Sequence, residues 1–131
     1  SEAIETIPVG ANPLALAVDP DGDFVCVADY TGKAVRVVDL GTGEASATIV
    51  FPETNGGGEP IDLALSAGGG FLFVACNGGD VHRVDVAAAE IAETVAVGLA
   101  PAQLVYSEAA GCAHVPAPLG DDGLAVVCFC Q

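Results

Sequence analysis

Apolar residues along this chain fall in short runs divided by turns rich in Gly, Pro and Asp, and the runs recur in the same order. Aligned on Pro13, Pro60 and Pro101, the first runs are Leu14–Val18, Ile61–Leu65 and Ala102–Tyr106. Each leads into a turn: Asp19-Pro20-Asp21-Gly22-Asp23, Ser66-Ala67-Gly68-Gly69-Gly70 or Ser107-Glu108-Ala109-Ala110-Gly111. Pro and Gly supply the backbone angles that tight turns need. The second runs are Phe24–Asp29, Phe71–Cys76 and Cys112–Pro116; the third are Val35–Leu40, Val81–Val86 and Leu124–Cys128. A fourth run occurs twice, at Ala45–Val50 and Ile91–Val97, and the third unit reaches Gln131 without one.

Short runs at regular spacing, punctuated by turn residues, predict an all-β chain rather than βαβ units. Several runs are apolar at every position, as in sheets covered on both faces. A period of about 40 residues marks a repeat architecture, in which each unit leaves an apolar face for its neighbour. Four antiparallel strands per unit, stacked face to face around an axis, describe propeller blades; a β-sandwich is the alternative, but it needs no internal repeat. The expectation is one domain, 1–131, with three blades forming a half-propeller: blade one at 13–51, blade two at 60–97, blade three at 101–131.

The opening segment belongs to the same pattern. Glu5-Thr-Ile-Pro-Val-Gly-Ala-Asn-Pro13 parallels Glu93-Thr-Val-Ala-Val-Gly-Leu-Ala-Pro101. Residues 3–9 therefore read as a fourth strand placed ahead of blade one, with its natural seat at the outer edge of an incomplete blade three. Propellers need at least four blades to close. An N-terminal strand donated by a partner chain, giving a homodimeric six-blade ring, is the first expectation. Head-to-tail donation that fails to close would give a filament, and a segment of a longer propeller chain is the third option.

The repeats resemble the YVTN-type repeats of secreted and surface-layer β-propellers, related in style to lactonase-like propellers. The resemblance rests on Val9-Gly10…Pro13, Asp19-Pro20-Asp21-Gly22, Val27-Ala28-Asp29, Val35…Val38-Asp39 and Thr48-Ile49. Unit two keeps Val74-Ala75 and Val84-Asp85, with Cys76 where the family often has Asn. Unit three departs most, having Pro116 within a strand and Cys128 near the family's Asp position. The resemblance implies an exported protein, extracellular or at the cell surface, although family members usually carry more blades.

Charge narrows the partners. Three basic residues, Lys33, Arg36 and Arg83, face 18 carboxylates for a net charge of −15. Such a surface repels phosphate backbones, so nucleic acid is not an expected partner. No apolar stretch approaches the ~20 residues of a membrane-spanning helix. Expected partners are the chain itself and a ligand or protein that the residues do not identify.

The candidate chemistry is thin. Five cysteines are present, an odd number, so at least one thiol is unpaired within a chain. Cys112-x-His114 and Cys128-x-Cys130 lie on neighbouring strands. If Cys112 opposes Cys130, His114 opposes Cys128 and all four converge, as for a zinc or copper(I) site or a Cys112–Cys130 disulfide. A slip of one residue separates the pairs onto opposite faces. Buried thiols or a disulfide are favoured over a metal, because Cys commonly fills tight strand packing. Cys26 and Cys76 are expected in the core or a seam.

Asp19, Asp21 and Asp23 resemble a calcium loop, but its twelfth position is Tyr30 rather than Glu. A polar turn is the simpler reading. Asp39 and Asp85 occupy equivalent places, which argues for a fold role. His82 has no nucleophile partner in sequence, and neither a Gly-x-Ser-x-Gly elbow nor a phosphate loop is present. The expectation is a non-enzymatic, self-associating structural or binding module without a cofactor. The competing class is a lactonase-like hydrolase, for which dimerisation would gather copies of Asp29, His82 and His114.

Overall fold

The computed structural model describes residues 10, 12–52, 58–66 and 69–96, and the strand segments 105–107, 112–116 and 124–128. All the described regular structure is β. Among these residues no helix is long and apolar enough to cross a membrane.

Sheet one comprises β1 (Pro13–Val18), β2 (Phe24–Asp29), β3 (Ala34–Asp39) and β4 (Glu44–Val50), antiparallel and in sequence order. Sheet two repeats it with β5 (Pro60–Leu65), β6 (Phe71–Cys76), β7 (Asp80–Asp85) and β8 (Glu90–Ala96). Sheet three contains β9 (Val105–Ser107), β10 (Cys112–Pro116) and β11 (Leu124–Cys128). The candidate strand at residues 3–9 lies outside the described residues. The first strands meet in series, β1 against β5 and β5 against β9.

Repetition extends to irregular details. Register shifts between Pro13 and Ala15 and between Val37 and Val38 recur between Pro60 and Asp62 and between Arg83 and Val84. Such bulges bend a strand and increase its twist, so both sheets curve alike. Positive φ angles recur as well: Gly22 (76°) matches Gly69 (73°), and Gly43 (75°) matches Ala89 (56°). The third strands end one residue before the sequence suggests, at Asp39 and Asp85, for an electrostatic reason. Asp39 Oδ1 accepts from Gly41 and Thr42 N–H, and Asp85 Oδ1 accepts from Ala88 N–H, so each carboxylate stops its strand by capping a turn.

Alternation along the strands gives each sheet two faces. The back of sheet one presents Cys26, Ala28, Val35, Val37 and Ile49. These pack against the front of sheet two, formed by Leu63, Leu72, Val74, Cys76 and Val84. The seam thus joins unlike faces, back to front, and its filling is almost wholly aliphatic. On the back of sheet two, Phe73, Ala75 and Val81 are also fully buried. Sheet two is covered on both faces, as its continuous apolar strands require. Four-stranded antiparallel sheets stacked in this way are propeller blades, and the fold is a partial β-propeller.

Candidate functional site

Polar groups hold a repeated place on the front faces of sheets one and two. In sheet two His82 on β7 is 1% exposed, and its Nδ1 lies 2.7 Å from Thr94 Oγ1 on β8. Its ring stacks on Phe51 at 4.9 Å, while Nε2 meets no hydrogen-bonding partner among the described residues. Desolvation by burial lowers its pKa, against a raising influence from Asp80. The ring is therefore held neutral.

The matching positions of sheet one are Arg36 and Thr48, paired across β3 and β4 (Nη1 to Oγ1, 3.3 Å). Arg36 Nη2 also reaches Asp29 Oδ2 at 3.3 Å. Burial alone would raise the Asp29 pKa, but hydrogen bonds from Gly32 N–H and Asn12 N–H and the Arg36 guanidinium outweigh it. The carboxyl is held below its ordinary range. Gly10 lies so close that a Cβ on it would strike the Asp29 carboxylate, so the chain enters blade one across this front face.

Asp29 and His82, residues that a hydrolase would turn toward a channel, are thus tied into the sheets. Cys26 and Cys76 are free and buried in the seam, each thiol pushed up to about 12, chiefly by burial. They are protonated at neutral pH and poor nucleophiles.

Asp19, Asp21 and Asp23 bring carboxylate oxygens within 4.8 Å of one another. Asp19 Oδ2, however, accepts from Asp23 N–H, and Asp19 N–H bonds to Phe24 C=O. Ser66 makes the same turn in blade two, its Oγ accepting from Phe71 N–H and its N–H bonding to Phe71 C=O. Asp19 thus does the work of an uncharged serine. The geometry is that of the polar turn.

The cysteine set divides at the margin of the described structure. Cys112 and His114 lie on β10 and Cys128 on β11, where Cys112 opposes Cys128 and His114 opposes Val126. This register differs by two residues from one that would set Cys112 opposite Cys130. Cys130, and the side chains of all four residues, lie outside the described part.

Sequence reasoning missed a cavity of about 410 Å³ at the outer end of the seam, lined by Asp23, Phe24, Val37, Asp39, Ser46 and Val86 among others. It has an apolar floor and two carboxylates. The Ser46 hydroxyl donates to Val37 C=O (3.2 Å), and no histidine lines the wall. The Asp29–Arg36 pair and the Phe51–His82 stack were also missed, although the alignment of Arg36 with His82 was available as a signal.

No family model matches the chain, and no curated protein does. Solved structures do. The Kuenenia stuttgartiensis hydrazine synthase superposes with a TM-score of 0.72 at 22% identity, over 87% of this chain and 32% of that one. The β-propeller domain of Cps50 (Swd1) from Myceliophteria thermophila gives a TM-score of 0.72 at 18% identity, over 85% of this chain and 34% of that one. The likeness supports the propeller fold, and the chain spans about a third of each of these two structures.

Proposed function

We propose that this chain is a non-enzymatic propeller scaffold of the YVTN type that completes its ring by associating with itself. Two copies give six blades, and residues 3–9 of each copy supply the fourth strand of the other's third blade. One observation carries the reading: sheets one and two have four strands, whereas sheet three has three among the described residues. Its role is structural, or the binding of a ligand or protein on the loops around the ring, outside the cell or at its surface. A hydrolytic role is less well supported, because Asp29 and His82 are engaged in hydrogen bonds within their own sheets.

Mass measurement by light scattering tests the proposal. The expected particle is a dimer that deletion of residues 1–9 converts to monomer. A dimer that survives the deletion rejects strand exchange, and a wild-type monomer rejects self-association. With −15 on each copy, repulsion opposes assembly, so added salt should strengthen the dimer.

A further inference from the structure

At one place the two four-stranded blades carry the same aromatic residue with different fillings. On the back of sheet two the Arg83 guanidinium lies 4.7 Å from the centroid of the Phe71 ring, and its Nη2 is 3.4 Å from Glu93 Oε1. A planar cation over an aromatic face, with a carboxylate beside it, is a favourable arrangement where water is partly excluded. Cross-strand register gives the matching residues of sheet one. Phe24 opposes Asp39 as Phe71 opposes Asp85, and Val37 opposes Ala47 as Arg83 opposes Glu93. Blade one keeps the aromatic and the aspartate, but has valine for the arginine and alanine for the glutamate.

The space left by those shorter side chains is the cavity of about 410 Å³ at the outer end of the seam. Phe24, Val37, Asp39 and Ala47 all line it, with Asp23 beside them and the β7–β8 turn across the seam. Its lining has two carboxylates and neither lysine nor arginine. Asp39 is fixed by its own turn: Oδ1 accepts from Gly41 and Thr42 N–H, and Oδ2 accepts no hydrogen bond among the described residues. The same end of the sheets carries Asp21, Glu44, Asp85 and Glu90. Lys33 lies in the turn at the opposite end, and Arg36 bonds to Asp29 there.

We infer that this cavity binds a small organic cation of the alkylguanidinium class, its planar head over Phe24 beside Asp39 and Asp23, its alkyl body against Val37 and Ala47. Blade two shows how such a head sits on the same aromatic when the chain itself supplies it. Charge selects the ligand as well, because an anion would meet two carboxylates on entering. A bare metal ion would gain nothing from the aromatic and aliphatic walls. The volume of about 410 Å³ falls within the ~300–1,000 Å³ of small-molecule sites. The site lies within one chain, so it is independent of self-association.

n-Butylguanidinium tests the site, with n-butylurea as its uncharged planar counterpart. NMR signals of the Phe24 ring and of the Val37 and Ala47 methyls should shift and saturate, with a dissociation constant on the order of 1 mM for so few ligand atoms. The urea should bind about tenfold more weakly. Asp23→Asn combined with Asp39→Asn keeps the oxygen that receives Gly41 and Thr42 N–H but removes both charges, so affinity should also fall about tenfold. Val37→Arg combined with Ala47→Glu installs the filling of blade two and should abolish binding in a folded chain. Saturable shifts confined to the cavity and weakened by these changes support the site. No binding, equal binding of the urea, unsaturated shifts spread over the acidic surface, or full affinity in either folded variant overturns it. Where Val37→Arg with Ala47→Glu does not fold, the asparagine variant decides by the same readings.

Discussion

Asp29 on β2 and Arg36 on β3 meet at 3.3 Å, and the carboxylate is 2% exposed while the guanidinium side chain is 30% exposed. Two backbone N–H groups complete the arrangement, from Asn12 at 3.3 Å and Gly32 at 3.2 Å. One carboxylate thereby ties the entry to β1, the β2–β3 turn and β3 together. Arg36→Ala leaves Asp29 with its backbone donors but no counter-charge. Water reaches the part-exposed Arg36 but not the buried Asp29, which keeps its backbone donors, so the loss should be about 1–3 kcal/mol in urea unfolding at pH 7. The folded pKa of Asp29 is depressed, so its contribution is present above the unfolded value of 3.8 and is lost as pH falls below it. The gap between wild type and variant should shrink over that acid range.

Gly22 and Gly69 form equivalent turns with φ of 76° and 73°, but their surroundings differ. A Cβ on Gly22 meets open space, whereas one on Gly69 would come within 2.7 Å of Asp19 Oδ1 and 3.5 Å of the Phe24 ring, both in blade one. Gly22→Ala should cost about 1 kcal/mol from backbone strain alone. Gly69→Ala adds a collision across the seam with a buried, hydrogen-bonded carboxylate, so its loss should be clearly larger. Equal midpoints for the two variants in chemical denaturation would contradict the packing of these blades.

His82 is buried neutral, its pKa lowered below 6.5 mainly by desolvation. The unfolded chain therefore binds this proton first as the solution is acidified. Stability from the neutral ring is fully present above pH 6.5 and declines as pH falls from there toward the depressed folded pKa. Among the described residues, Asp80 on its own strand, Thr94 on β8 and Phe51 after β4 act on the ring, and of these three Asp80 carries charge. Melting temperatures at pH 7.5 and 5.5 should differ more for wild type than for His82→Gln.

Thiol chemistry separates the two kinds of cysteine. Cys26 and Cys76, buried and raised to about 12, should resist iodoacetamide in the native protein and react only in denaturant. Mass spectrometry of native and unfolded samples, with and without prior reduction, reads this directly. It also shows whether Cys112, Cys128 and Cys130 are thiols or disulfide-bonded.

The strands were readable in the sequence because period and punctuation agree: Pro13 and Pro60 open first strands, and Gly22 and Gly69 close them. Both inner faces of the seam were implicit in the apolar runs Phe24–Asp29 and Phe71–Cys76. What could not be read was the pairing of faces. Leu16 and Leu63 are the same residue type in the same motif, and only the stacking order decides that one is covered and the other open. Polar contacts were equally hidden. Arg36 and His82 share a position but not a chemistry, and the partners Asp29 and Phe51 come from outside their own strands. Seven residues of sequence separate β10 from β11, more than separate the matching strands of the first two sheets, so spacing alone could not fix which cysteine opposes Cys112.

The back-to-front seam between the first two sheets bears on how such a chain can lengthen. Because each unit meets its neighbour through two different surfaces, a tandem gene duplication adds a segment that already matches what it lands on. It also presents a fresh surface identical to the one it covered. Growth by whole repeats then requires no new contact chemistry, whereas an insertion of half a unit would set two like surfaces together and find no fit.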